Sequence, residues 1–74
     1  MMMPFTLEIT HDKKDYGYEY RDVKYIPRIG EFVEIFDGKT DKVIFGGRVY
    51  DVQWTFDANE DEAAVSVYLK DETD

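Results

Sequence analysis

The sequence predicts an all-β fold, either a small barrel or a strongly bent antiparallel sheet of four to five strands. Apolar and polar residues alternate with a period of two in several segments, which is typical of strands with one buried face. Turn residues such as Asp37-Gly38 separate these segments. With 74 residues, the chain forms a single domain, 1–74, and closing the sheet would bury one face without long free edges. We expect 1–4 and 71–74 to be frayed.

The first strand is predicted at 5–10, where apolar residues occupy every second position. Residues 11–24 are polar and balanced in charge, so we expect a long hairpin-like excursion there. The excursion contains three tyrosines that would share one face of an extended chain: Tyr16, Tyr18 and Tyr20. Pro27 follows, and it favours an extended conformation at the residue before it.

A second strand is predicted at 31–36, with Val33 and Ile35 facing the core. Three residues would then face the other way: Phe32, Glu34 and Phe36. The third strand should begin at residue 42 or 43. Gly46-Gly47 within it predicts a bulge or sharp bend, because glycine adopts backbone angles that other residues avoid.

After that bend, alternation places four residues on one face: Tyr50, Val52, Trp54 and Phe56. We expect Val52 and Trp54 to lie in the core, with Val49 on the opposite face. The last strand is predicted at 63–69, where small and apolar residues alternate cleanly. A helix over 58–65 is the alternative.

The order of strand, long loop and three hairpin-linked strands resembles the SH3-like barrel over about residues 5–69. In that resemblance, Tyr16-Gly17-Tyr18-Glu19-Tyr20 is similar to a tyrosine-rich peptide-binding loop, although no tryptophan begins the third strand. Residues 27–69 also resemble small uncharacterised β-barrel proteins of bacteria and their phages. This second resemblance rests on Pro27-Arg28-Ile29-Gly30-Glu31 and the alternation that follows, and it implies a short accessory protein.

The net charge of −8 is unevenly distributed. Residues 57–74 contain seven acids and one base, whereas residues 1–56 contain ten acids and eight bases. This balance argues against direct binding to nucleic acid or to an anionic membrane, since both require a basic surface. The start of the chain lacks the pattern of a signal peptide, and we expect a cytoplasmic protein of a bacterium or an infected host cell.

The sequence contains few of the cysteine, histidine and serine residues that commonly act in catalysis or bind metal ions. There is no cysteine and one histidine, His11, which we expect at the surface. Ser66, the single serine, lies in the middle of a predicted strand, so the sequence predicts no enzyme and no cofactor. The acids at 57–62 resemble half of a calcium loop but lack its glycine and its distant glutamate, so we predict no metal.

Three groups of residues are candidates for binding. The first is the tyrosine run with Arg21, and the second is the outward set of the 31–36 strand, which a homodimer could bury. The third is the acidic loop, in which four carboxylates lie close together: Asp57, Glu60, Asp61 and Glu62.

These features favour a non-enzymatic acidic protein-binding module. We expect a phage- or prophage-encoded inhibitor of a host defence or nucleic-acid enzyme, whose basic cleft the acidic surface would enter. One alternative is a protein that binds or sequesters a small nucleotide-like ligand. Another is a structural or accessory phage protein.

Overall fold

The computed structural model describes residues 5–21, 23–59 and 62–71, and it confirms an all-β fold. Five strands form one strongly curled sheet that resembles half of a barrel. They are β1 (Phe5–His11), β2 (Gly17–Arg21), β3 (Phe32–Asp37), β4 (Lys42–Phe56) and β5 (Ala63–Lys70). Their order across the sheet is β2-β1-β5-β4-β3, so β2 and β3 are its two edges. Among the described residues there is no helix with the length and apolar character needed to cross a bilayer.

The excursion predicted at 11–24 contains a strand that the sequence did not resolve. Within it, β2 pairs antiparallel with β1, and Tyr18 lies opposite Ile9 while Tyr20 lies opposite Leu7. Tyrosine favours extended chain, and the half-buried Tyr18 of this segment packs against the core, which explains the pairing. The sheet also contains one parallel pair, β1 with β5, whereas we expected an antiparallel sheet throughout.

The core lies on the inner, concave face of the sheet. Strand β5 is central, and its inward side chains Val65, Val67 and Leu69 are fully buried. The remaining members of the core come from the strands on either side: Leu7, Ile9, Ile35, Phe45 and Val49. The predicted core positions Val33 and Ile35 both pack here. The turn predicted at Asp37-Gly38 is also present, with the Asp41 amide donating to the Asp37 carbonyl at 2.8 Å.

The bulge predicted at Gly46-Gly47 lies elsewhere. The register between β3 and β4 shifts so that Ile44 is the extra residue, and the register between β4 and β5 shifts at Tyr50. Both glycines are paired with β3 without interruption. Gly47 is instead required by close packing, because a Cβ atom there would lie 2.6 Å from the carbonyl oxygen of Lys70.

The bulge at Tyr50 corrects the predicted faces of β4. Because the extra residue resets the alternation, Val49 and Val52 both face inward, and Val49 is buried in the core. Tyr50 faces outward instead, with its ring 6.4 Å from that of Tyr68. Trp54 does face inward, but 45% of it remains exposed, so the prediction that it fills the core was wrong.

Residues 23–31, here called the crossing segment, connect one edge of the sheet to the other. They leave β2 and reach β3 by passing over the concave face, where Val23 and Ile26 pack against the core. The segment is joined to β4 at its end, since the Gly30 amide donates to the Val49 carbonyl at 2.9 Å. Gly30 has a φ of 95°, a conformation that favours glycine.

Candidate functional site

The crossing segment divides the concave face into two surface grooves. The first, here called the Trp groove, is a cavity of about 500 Å³ between the segment and the far half of β4, lined by Ile26, Pro27, Arg28, Ile29, Val52 and Trp54. The second, here called the edge groove, is a cavity of about 490 Å³ between the segment, β2 and β3. Its lining includes Leu7, Ile9, Tyr20, Arg21 and residues 33–36.

The Trp groove is bordered by a cluster of aromatic rings. Phe5 contacts Trp54 edge to face with ring centroids 5.7 Å apart, and Phe56 stacks on Trp54 at 5.9 Å. Phe56 and Ile29 are each more than 60% exposed, so the groove has an apolar rim that reaches solvent. The alternation of the sequence did not indicate this site, because it assigned Trp54 to the core. The available signal was the apolar residues on both sides of Pro27, in a segment with no strand pattern.

The edge groove brings together four residues that the sequence identified in separate groups. Tyr20 and Arg21 come from β2, and Glu34 and Phe36 come from β3. Tyr20 and Phe36 are both exposed. Arg21 forms an ion pair with Glu19 at 3.7 Å. The floor of this groove is apolar, since Leu7 and Ile9 belong to the core.

The rest of the tyrosine run has a structural role. Tyr18 is half-buried, and its ring lies 5.2 Å from that of Phe45. The exposed ring of Tyr16 lies 5.6 Å from that of Phe45 and 6.0 Å from that of Tyr18. These two rings therefore cover the core at one end of the half-barrel, while Tyr20 alone borders the edge groove.

Phe32 lies apart from both grooves, on the outer face of the sheet. Its ring is 5.5 Å from the guanidinium carbon of Arg48, which also donates to the Gly30 carbonyl at 2.7 Å. A second pair of this kind lies nearby, with the Lys70 ammonium 5.7 Å from the Tyr50 ring. The outward set of β3 is therefore divided, with Phe32 on the outer surface and Glu34 and Phe36 lining the edge groove.

The described residues of the acidic loop, 57–59 and 62, lie at one end of the sheet between β4 and β5. The Asn59 amide donates to the Asp57 carboxylate at 2.8 Å, and the Asp57 amide donates to the Glu62 carbonyl at 3.4 Å. Asp57 and Glu62 line a cavity of about 550 Å³ that also reaches Arg21. Glu60 and Asp61 lie outside the described residues. In the part of the chain that the structure describes, no three acidic or histidine side chains gather as a metal site would require.

His11 is buried, which corrects the expectation of a surface histidine. Its Nε2 lies 3.0 Å from the Asp71 carboxylate, and its Nδ1 accepts a hydrogen bond from the Lys13 amide at 3.1 Å. The ring packs edge to face on Phe45 at 5.9 Å. The hydrogen bond from the Lys13 ammonium, helped by His11, holds the pKa of Asp71 below its ordinary value of 3.8. With both nitrogens occupied, His11 connects the β1–β2 turn to the end of β5.

Comparisons with known proteins return no relative for this geometry. No family model matches the chain, and neither a curated protein nor a solved structure matches it.

Proposed function

We propose that this chain is a non-enzymatic, acidic protein-binding module whose partner docks on the concave face at the Trp groove. The observation that carries this proposal is the half-exposed Trp54 beside a groove with an apolar rim. Tryptophan is enriched among the residues that contribute most to binding, and such residues typically sit in apolar pockets. Exposed apolar patches of this kind often mark interaction sites.

The net charge supports a basic partner. A charge of −8 would speed association with a positively charged surface, such as the cleft of a nucleic-acid enzyme. Occupying that cleft would inhibit the enzyme without any chemistry in this chain. We therefore propose that the module is an inhibitor of such an enzyme, encoded by a phage or prophage as the sequence resemblance implies.

Two side chains that could take part in catalysis favour the non-enzymatic proposal. Both nitrogens of His11 are engaged within the fold. Ser66 lies in the middle of β5, between Glu8 of β1 and Gln53 of β4. A nucleophilic serine needs a base within hydrogen-bond distance and an orienting group behind that base.

The cavities give less support to a nucleotide-like ligand. Each of the three cavities described above contains a single arginine, Arg21 in two of them and Arg28 in the third. Sites that hold phosphate groups commonly combine several cationic or amide donors. Protein binding is therefore the function that the concave face supports best.

The test compares capture of bacterial host proteins by wild-type, Trp54→Ala and Tyr50→Ala chains. Tyr50→Ala is the matched control, because Tyr50 is also an exposed aromatic residue but lies on the outer face. We expect a protein that wild type and Tyr50→Ala retain and Trp54→Ala loses, and that forms a defined complex when purified. Retention by all three chains would contradict a Trp54-centred interface.

The purified complex also tests the basic character of the partner. We expect the association rate to fall steeply as NaCl is raised from about 20 to about 200 mM, since salt screens attraction between opposite charges. A rate that does not depend on salt would contradict docking into a basic cleft.

A further inference from the structure

The half-barrel is open between its two edge strands. β2 and β3 occupy opposite ends of the strand order, and the edge groove lies between them. A sheet edge presents backbone donors and acceptors to an incoming strand, and proteins use such edges to bind extended peptides. The opening is therefore a place where a strand from another molecule could continue the sheet.

The lining of the edge groove is that of a strand-binding site. Four consecutive residues of β3, 33–36, line the groove, so the strand edge itself forms one wall. Leu7 and Ile9 form the floor and are each only 5% exposed, so an inserted side chain would meet the core directly. The opposite wall comes from the end of β2, where Tyr20 and Arg21 lie.

The charge of the β3 wall selects the chemistry of the incoming strand. Glu34 and Asp37 lie in β3 and Glu31 immediately precedes it, while β3 itself contains no base. Arg28 forms an ion pair with Glu31 at 3.9 Å, so part of the negative charge of Glu31 is already balanced. Glu34, at the centre of the wall, is therefore the main negative charge that an incoming strand meets. Opposite charges on neighbouring strands stabilise their pairing, and like charges oppose it.

We propose that the edge groove binds an extended segment of a partner protein in which lysine or arginine alternates with apolar residues. The segment pairs with β3 over about six residues, matching the length of that strand. Its apolar side chains enter the groove above Leu7 and Ile9, and its basic side chains pass beside Glu34. This inference rests on the proposed protein-binding function and specifies the partner segment.

A second copy of this chain fits the same edge less well. Symmetric antiparallel pairing of two β3 strands that sets Phe32 against Phe36 of the other copy places Glu34 directly opposite its own equivalent. Like charges at directly opposed positions are destabilising. The homodimer that the exposed phenylalanines predicted is therefore disfavoured in this register, whereas a basic strand is favoured.

The experiment is an NMR titration of the ¹⁵N-labelled full chain with two capped hexapeptides. One alternates lysine with valine, and the other alternates glutamate with valine. We expect the lysine peptide to shift the amide resonances of 32–37 and to slow their exchange with solvent. We expect the glutamate peptide to bind at least about tenfold more weakly, because its charges repel those of β3.

Two charge reversals provide the matched comparison. Glu34→Lys should weaken binding of the lysine peptide about fivefold or more. Glu8→Lys changes the net charge equally on an exposed residue of β1 and should leave the affinity within about twofold. If the two variants had equal effects, or if the two peptides bound with equal affinity, the proposal that β3 prefers a basic strand because of its negative charge would be overturned.

Three further outcomes would overturn the inference. The first is lysine-peptide shifts confined to residues 57–62, and the second is shifts confined to the Trp groove. The third is a change in the 32–37 resonances with protein concentration alone, accompanied by a dimer in analytical ultracentrifugation. This result would show that a second copy of the chain occupies the β3 edge. In every such case Trp54-dependent capture of a partner still tests the proposed function separately.

Discussion

At the scale of single residues, His11 shows how a polar side chain can be part of a small core. It is 5% exposed, yet each ring nitrogen lies within hydrogen-bond distance of a partner, and the ring packs on Phe45. A buried polar group with its hydrogen bonds satisfied avoids the cost of losing water. The cluster of His11, Lys13 and Asp71 therefore holds the end of β5 against the turn after β1.

We predict that His11→Ala lowers the free energy of unfolding by about 2–3 kcal/mol, because it removes buried ring packing and two hydrogen bonds. Urea denaturation measures this change. Lys14→Ala is the control, since that side chain is exposed and should change stability by less than about 0.5 kcal/mol. Equal effects of the two substitutions would contradict a structural role for the His11 ring.

A second residue-scale prediction concerns Asp71 and pH. Its pKa is lowered in the folded chain, so the unfolded chain binds this proton more tightly and stability must rise with pH through this range. The stabilisation is present above the ordinary pKa of 3.8 and is lost as the pH falls through the lower folded value.

The measurement is the urea midpoint of wild type and Asp71→Asn as a function of pH. We expect wild type to be the more stable at pH about 6, and the gap between the two midpoints to narrow steadily as the pH falls below 3.8. A gap that stays constant across this range would show that ionisation of Asp71 contributes nothing.

At the scale of the elements, β4 decides the shape of the sheet. It pairs with both β3 and β5, and each of these pairings contains one bulge. Bulges increase local bending and twist, and the two together let a single 15-residue strand serve both halves of the half-barrel. Gly47 lies between the two bulges, where a Cβ atom would lie 2.6 Å from the Lys70 carbonyl oxygen and 3.3 Å from the His11 ring.

We predict that Gly47→Ala lowers the free energy of unfolding by about 1–3 kcal/mol, because the new methyl group would overlap the Lys70 carbonyl. Thermal or urea unfolding of the purified variant gives the value. Gly38→Ala is the matched control, since a Cβ there meets nothing within 4 Å and the residue lies in an exposed turn. A cost at Gly38 as large as at Gly47 would contradict the steric explanation.

At the scale of the whole molecule, negative charge outweighs the ion pairs. The chain has 17 acids and 9 bases, and pairs such as Lys13 with Asp71 and Arg21 with Glu19 lie at exposed positions. Exposed ion pairs contribute little, whereas a large net charge destabilises the compact state through self-repulsion. The same charge favours a basic partner.

We predict that raising NaCl from about 20 to about 200 mM increases the Tm by a few degrees, because salt screens this repulsion. Scanning calorimetry measures the shift. Glu8→Lys removes the Glu8–Glu19 repulsion across β1 and β2 and makes the net charge less negative. Its Tm should therefore show a smaller increase with salt. A Tm that falls with salt would mean that the ion pairs dominate.

The sequence by itself determined the fold class, the positions of four strands and the inward face of β3. It did so because alternation and turn residues act locally along the chain. It also identified Tyr20, Arg21, Glu34 and Phe36 as candidates for binding, but it assigned them to separate surfaces.

Only the tertiary structure decided which of these residues meet. The bulge at Tyr50 reset the alternation of β4, so that Val49 lies in the core and Tyr50 faces outward, while Trp54 faces inward but stays 45% exposed at the rim of a groove. The burial of His11 depends on Asp71, which is 60 residues away in sequence. The two edges and the crossing segment form the grooves only when the sheet curls. Bulges, distant residue pairs and sheet curvature all depend on long-range contacts, which a local sequence pattern does not encode.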